Sequence, residues 1–102
     1  MTDISITNNE PLHRYEAAIN GQLAGYCEYN LLVGAIMFTH TEVMPEFEGK
    51  GVGSALARSV LDEARAEGRN VIPVCQFIAG WLRKHPDYAD LVQPDSRRAF
   101  KI

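Results

Sequence analysis

Polar and apolar positions alternate over residues 3–7, which predicts a short edge strand, and Asn8-Asn9-Glu10-Pro11 reads as the turn that follows. Residues 14–19 and 22–29 flank Asn20-Gly21, a pair that supplies the positive φ values of a tight hairpin turn. A period of two places Leu23, Cys27, Tyr29 and Leu31 on one side of the second hairpin strand, opposite Tyr26, Glu28 and Asn30, with Cys27 as a small core residue. After a break near Gly34, residues 35–43 predict another long strand, and the same period puts Ile36, Phe38, His40 and Glu42 on one face.

The period then changes. Val52, Leu56, Val60 and Ala64 recur every four residues, with Ala57 and Leu61 beside them and Arg58, Asp62 and Arg65 on another face. This spacing predicts an amphipathic helix over residues 52–67, closed by Gly68, with Asp62 and Arg65 at most a weak surface pair. Residues 70–75 read as a short buried strand that Cys75 ends, so strand, helix and strand make a right-handed crossover. Pro73 predicts imperfect pairing there. Residues 77–84 predict a second helix ended by His85-Pro86, residues 87–92 a final turn or strand, and residues 93–102, with Arg97, Arg98 and Lys101, a mobile tail.

Between the long strand and the first helix lies Val43-Met44-Pro45-Glu46-Phe47-Glu48-Gly49-Lys50-Gly51-Val52-Gly53-Ser54. Glycines at alternate positions let successive N–H groups approach a ligand without a Cβ in the way, and those groups end at the positive pole of a helix. The stretch therefore reads as an anion cradle. It is not a Walker A loop, because Gly53 is followed by Ser54-Ala55 and Lys50 lies inside the loop. Nor does the glycine spacing fit a dinucleotide fingerprint or the kinase glycine-rich hairpin.

Glu48-Gly49-Lys50-Gly51-Val52-Gly53 resembles motif A of the GNAT superfamily of N-acetyltransferases, Gln/Arg-x-x-Gly-x-Gly/Ala, matching at both glycines and departing at Glu48. With His40-Thr41-Glu42-Val43, Pro73-Val74-Cys75 and Arg83-Lys84-His85-Pro86-Asp87-Tyr88, it is similar to a subfamily of very short GNAT-like proteins over roughly residues 15–92. The resemblance implies an α/β fold with a mixed, mostly antiparallel twisted sheet, a central βαβ crossover and two helices. It also implies acetyl-CoA as cofactor, its pyrophosphate on the backbone amides of residues 48–54, and its pantetheine between two splayed central strands.

The same resemblance puts the donor to the thioester oxygen near Val43 and Met44 and favours Glu42 as base, with His40 as rival. In the place where many relatives carry a tyrosine acid stands Arg83, and Tyr88 lies too far along to take that role, so the acid is unassigned. Cys75 is either inert packing or, at the mouth of the cleft opposite His40 and Glu42, a thiol that can exchange with the thioester.

Length and composition narrow this further. The 102 residues suffice for one domain, and 46% hydrophobic with 23% charged residues is ordinary for a soluble chain with no membrane span. Two widely spaced cysteines suggest neither a disulfide framework nor a metal site, which favours a reducing, cytoplasmic setting. A net charge of −3 argues against a nucleic-acid surface, so an anion must be held by local donors. The expected activity is acetyl transfer to an amine on a small molecule or protein. The alternatives are a CoA-binding sensor without turnover and a non-enzymatic interaction domain, with oligomeric state open.

Overall fold

The computed structural model describes residues 3–102 and contains a five-stranded sheet ordered along the chain as β1 Ser5–Asn9, β2 Arg14–Ile19, β3 Gln22–Leu32, β4 Ala35–Val43 and β5 Asn70–Pro73. All neighbours are antiparallel except β4 and β5, which run parallel and are joined through helix α1, Val52–Ala66. The mixed sheet and central crossover are those expected. Asn20 (φ 51) and Gly21 (φ 77) form the left-handed pair that closes the β2–β3 hairpin.

Only one sheet face is packed. Tyr15, Ala17, Ile19, Cys27, Tyr29, Ile36, Phe38 and Val71 are buried beneath α1 and a second helix, α2 Gln76–Lys84. The other face carries Arg14, Glu16, Tyr26, Glu28, His40 and Glu42 and stays partly or fully exposed. The helical period of α1 is met in full, since Val52, Leu56, Ala57, Val60, Leu61 and Ala64 are its buried residues.

Two irregularities reset the strand period. Between Ala17 and Ala18 the register slips, so Ala18 opposes Leu23 and both lie on the open face, while Ala24 is buried. Leu23 therefore does not share the face of Cys27 and Tyr29. In the second, Tyr29 opposes Phe38 but Glu28 opposes His40, leaving Thr39 as the extra residue of β4. A one-residue slip sends every later side chain to the other face. His40 and Glu42 consequently stand on the open face with Glu28 and Tyr26, not beside Ile36 and Phe38, and Thr41 turns inward opposite Cys27.

The C-terminal segment is ordered, not a mobile tail. After α2 come a 3₁₀ helix, Pro86–Leu91, and a short third helix, α3 Pro94–Phe100, so the described residues hold three α-helices where two were expected. Arg83 donates twice to the Phe100 carbonyl, and Arg97 Nε donates to the carbonyls of Ala89 and Val92. Arg65 binds Asp90 at 2.8 and 3.0 Å and not Asp62, whose carboxylate accepts the Tyr88 hydroxyl. Among the described residues no helix is long and apolar enough to cross a membrane.

Candidate active site

The segment from Met44 to Ser54 turns the chain from β4 into α1. Pro45–Phe47 is a single 3₁₀ turn, after which Gly49 and Gly51 both adopt φ +81, a conformation open to glycine and strained for other L-residues. Gly51 is the N-cap of α1 and no side chain caps the helix. Among the described residues, the N–H groups of Val52, Gly53 and Ser54 find no protein acceptor. Such donors at a helix start, aligned with its dipole, are what a phosphate needs.

These donors open onto a concavity of about 320 Å³ lined by Val43, Glu48, Gly49, Gly51, Gly53, Ser54 and Phe77 among others. Val52 is 1% exposed, so its side chain belongs to the core and only its backbone faces the loop. Lys50 is exposed and does not line the concavity. Phe77, which the sequence places only on the second helix, is 41% exposed, and a Cβ built on Gly53 would lie 2.8 Å from its Cζ. Gly53 thus serves close packing of α1 on α2 rather than a special φ. The signal for Phe77 was its spacing of four from Trp81 on α2.

Beside the loop the sheet parts. Pairing of β4 with β5 ends at Phe38 and Pro73, and β5 ends there too: Cys75 is the N-cap of α2, its N–H donating to the Phe38 carbonyl at 2.7 Å. From Thr39 to Val43, β4 has no strand on that side. The Met44 N–H donates to Ala24 at 2.8 Å, which sets the phase of the antiparallel ladder. By that phase the N–H groups of His40 and Glu42 point to β3, whereas those of Thr41 and Val43 point into the opening. Of the two donors expected near the thioester oxygen, Met44 is therefore already engaged and Val43 is free to serve.

The opening separates two chemical sets. On the open face His40 Nε2 lies 2.8 Å from Glu42 Oε1, and the two side chains are 52% and 48% exposed. On the packed face the Thr41 hydroxyl is 3.1 Å from Cys75 Sγ and donates to Cys27 Sγ at 3.4 Å. Cys75 is 5% exposed and does not face His40 and Glu42; the extra residue at Thr39 divides them. Burial pushes the Cys27 thiol up to about 12, so Cys27 remains protonated and cannot act as a base.

The family model described as GCN5-related N-acetyl-transferase matches residues 14–91, a span that holds strands β2 to β5, the loop and both longer helices. The chain belongs to the GCN5-related N-acetyltransferase family. A GCN5-like protein from Staphylococcus aureus solved in solution is similar in structure to this family member, with 25% identity over 91% of each chain and a TM-score of 0.69. The ribosomal-protein-S18-alanine N-acetyltransferase from Escherichia coli shares the fold at 15% identity and a TM-score of 0.58, over 70% of this chain and 64% of that one. Among curated proteins none matches in sequence. Family and fold together support acetyl transfer.

Neither side chain considered for the acid of this acetyltransferase family member is available near the opening. The Arg83 guanidinium is held by Phe100, and Tyr88 is buried with its hydroxyl on Asp62, a bond that raises its pKa above the ordinary phenol value.

Proposed function

We propose that the protein transfers the acetyl group of acetyl-CoA to an amine that approaches from the open sheet face. The observation that carries this reading is the set of unpaired N–H donors on Val52, Gly53 and Ser54, placed beside the opening between β4 and β5. The residues fit the cofactor: donors for a diphosphate, a concavity at the loop, and an inward-pointing N–H on Val43. When bound, acetyl-CoA supplies an activated acyl group and a thiol leaving group.

The chain contributes position and proton handling. The amides of residues 49–54 hold the diphosphate, the Glu48 N–H being bonded to the Pro45 carbonyl, and the Val43 N–H donates to the thioester oxygen, where charge develops during acyl transfer. Glu42 takes a proton from the acceptor ammonium, directly or through a water, with His40 bonded to it on the same face. The acceptor is a small-molecule or protein amine. Both cysteines are free thiols, in keeping with a reducing, cytoplasmic setting.

The deciding experiment measures release of free CoA thiol from acetyl-CoA against a panel of amines, beside the shift in melting temperature on adding acetyl-CoA. Thiol release with an amine supports transfer. A second reading, CoA binding without turnover, is favoured by the engagement of both Arg83 and Tyr88 elsewhere, and it predicts a melting shift with no amine-dependent release. Absence of any shift with acetyl-CoA rejects both.

A further inference from the structure

We infer that the acceptor is a primary amine carried on an uncharged apolar chain, and that Met37 and Ile72 on the open sheet face bind that chain while Glu28 draws the ammonium. The inference rests on the acetyl-transfer reading of the opening and adds the class of amine that it serves.

Strand register lays the open face out in rows that run across the sheet. One row joins Tyr26 to Glu42, the next joins Glu28 to His40, and the third runs from Asn30 through Met37 to Ile72. Tyr26, Glu28 and Asn30 are two residues apart on β3, so neighbouring rows lie about 7 Å apart. The first two rows are polar and end on the part of β4 that has no strand beside it. The third turns apolar on β4 and β5, the two strands that border the opening. Met37 and Ile72 are partly exposed there, because Ile36 and Val71 take the packed face and leave their neighbours to the open one. Val74, 49% exposed just past the end of β5, carries the apolar surface to the lip of the opening. In the row beyond, Leu32 stands opposite Ala35 and is 48% exposed. The solvent face of an antiparallel sheet is ordinarily polar, and here apolar side chains stand in line with the reacting groups.

Charge decides which end of the amine goes where. Glu16 is already matched, since Arg14 donates to it at 2.7 Å and Asn9 at 3.0 Å. Arg14 is engaged in this way, its head 4.5 Å over the Tyr26 ring, although Glu28 is its cross-strand neighbour. Among the described residues Glu28 forms no ion pair, and the partner of Glu42 is His40, which is charged only when protonated. The polar rows therefore hold more negative than positive charge, and a single ammonium complements them. A carboxylate on the same molecule would be repelled by Glu28 and Glu42. A second ammonium about 7 Å away would lie on Met37 and Ile72, whose apolar side chains offer no acceptor in place of water. A methylene chain loses nothing there and gains by leaving water. In the transfer the ammonium gives one proton to Glu42, its nitrogen bonds the acetyl carbon as the bond to the CoA sulfur breaks, and the second proton released by nitrogen passes to that sulfur.

The test measures thiol release from acetyl-CoA with three amines of one chain length, hexylamine, hexamethylenediamine and aminocaproate, whose far ends are a methyl, an ammonium and a carboxylate. Wild type should use hexylamine with a kcat/KM about tenfold above that of either other amine, mainly through KM, as burial of a few methylenes provides. Ile72→Glu should lower kcat/KM for hexylamine about tenfold and raise it for the diamine. Met37→Gln, which adds no charge, should lower hexylamine use by a smaller factor and leave the diamine unchanged. Both positions are partly exposed, and unchanged melting of the unliganded variants establishes that they fold; Met37→Gln decides if Ile72→Glu does not. Equal use of the three amines by wild type, a preference for the diamine or the amino acid, or a preference that the folded variants leave unaltered overturns the inference while leaving acetyl transfer intact. Release only with amines of another kind does the same. Absence of release with any amine overturns the transfer reading as well.

Discussion

The Thr41 hydroxyl lies 3.1 Å from the Cys75 sulfur, on the packed side of an opening whose other side carries His40 and Glu42. Acetyl exchange onto Cys75 would form the sulfur–acyl bond as the bond to the CoA sulfur breaks, with the thiol proton passing to CoA. Incubation with acetyl-CoA and no amine should then give one acetyl adduct by intact mass, removable by hydroxylamine. Cys75→Ala should lose it, and Cys27→Ala should keep it because Cys27 is fully buried and protonated. No adduct together with unchanged turnover in Cys75→Ala would place Cys75 in the core alone.

Glu42→Gln should lower amine-dependent turnover by about 100-fold or more, the usual weight of a general base. CoA affinity should hardly change, since Glu42 stands on the open face and the loop amides do not. Full activity in this variant would transfer the role to His40 or to solvent.

Gly51→Val forces a branched residue into φ +81 and should reduce stability by about 1–2 kcal/mol while removing most of the melting shift produced by acetyl-CoA. Gly53→Ala acts differently. Its Cβ would meet Phe77 Cζ at 2.8 Å, the far end of a flexible side chain, so stability should fall little while CoA binding weakens as the ring is displaced. Equal CoA binding by both variants and wild type, measured by titration, would show that the loop does not hold the ligand.

Glu48 is exposed at the loop, where a carboxylate favours the helix start but opposes a bound diphosphate. Glu48→Gln should tighten CoA binding and cost about 0.3–1 kcal/mol of unliganded stability. Weaker binding would mean that the carboxylate helps the ligand.

Stability should decline in alkaline solution. The Cys27 thiol is raised from 9.0 to about 12 in the fold, so between those values the unfolded chain has released a proton that the native chain retains. The unfolded state is then favoured by up to about 1.4 kcal/mol per pH unit. Below pH 9 the contribution is fully present. Chemical denaturation from pH 8 to pH 11 should show this slope in wild type and a shallower one in Cys27→Ala; identical slopes would refute it. Tyr15, raised by burial and by the Glu63 carboxylate, acts in the same direction at higher pH.

Much of this was legible in residue order. The Asn20-Gly21 turn, the four-residue repeat from Val52 to Ala64 and the glycines at 49 and 51 each depend on local geometry, and each appears where the pattern puts it. What was not legible is non-local. The extra residue at Thr39 exists only relative to β3, so no count along β4 could show that His40 and Glu42 change faces. Cys75 could be read as a strand end but not as a helix N-cap bonded to Phe38. Ordering of the tail depends on Arg83 and Arg97 reaching carbonyls that periodicity does not describe.

Because the strands are laid down in chain order, β1 through β4 can pair through short turns, whereas β5 can join β4 only after the fifteen residues of α1 have been placed. Short loops close at little entropic expense and long ones close later, so the four-strand meander should protect its amides early in refolding and β5 with α2 should follow. The loop amides, Val43 and the edge of β4 near Cys75 come together only at that last docking. A ligand spanning them would therefore act as a clasp on the final folding step, slowing unfolding more than it speeds refolding. Pulse-labelled hydrogen exchange with and without CoA would show this as prolonged protection confined to β5 and the start of α2.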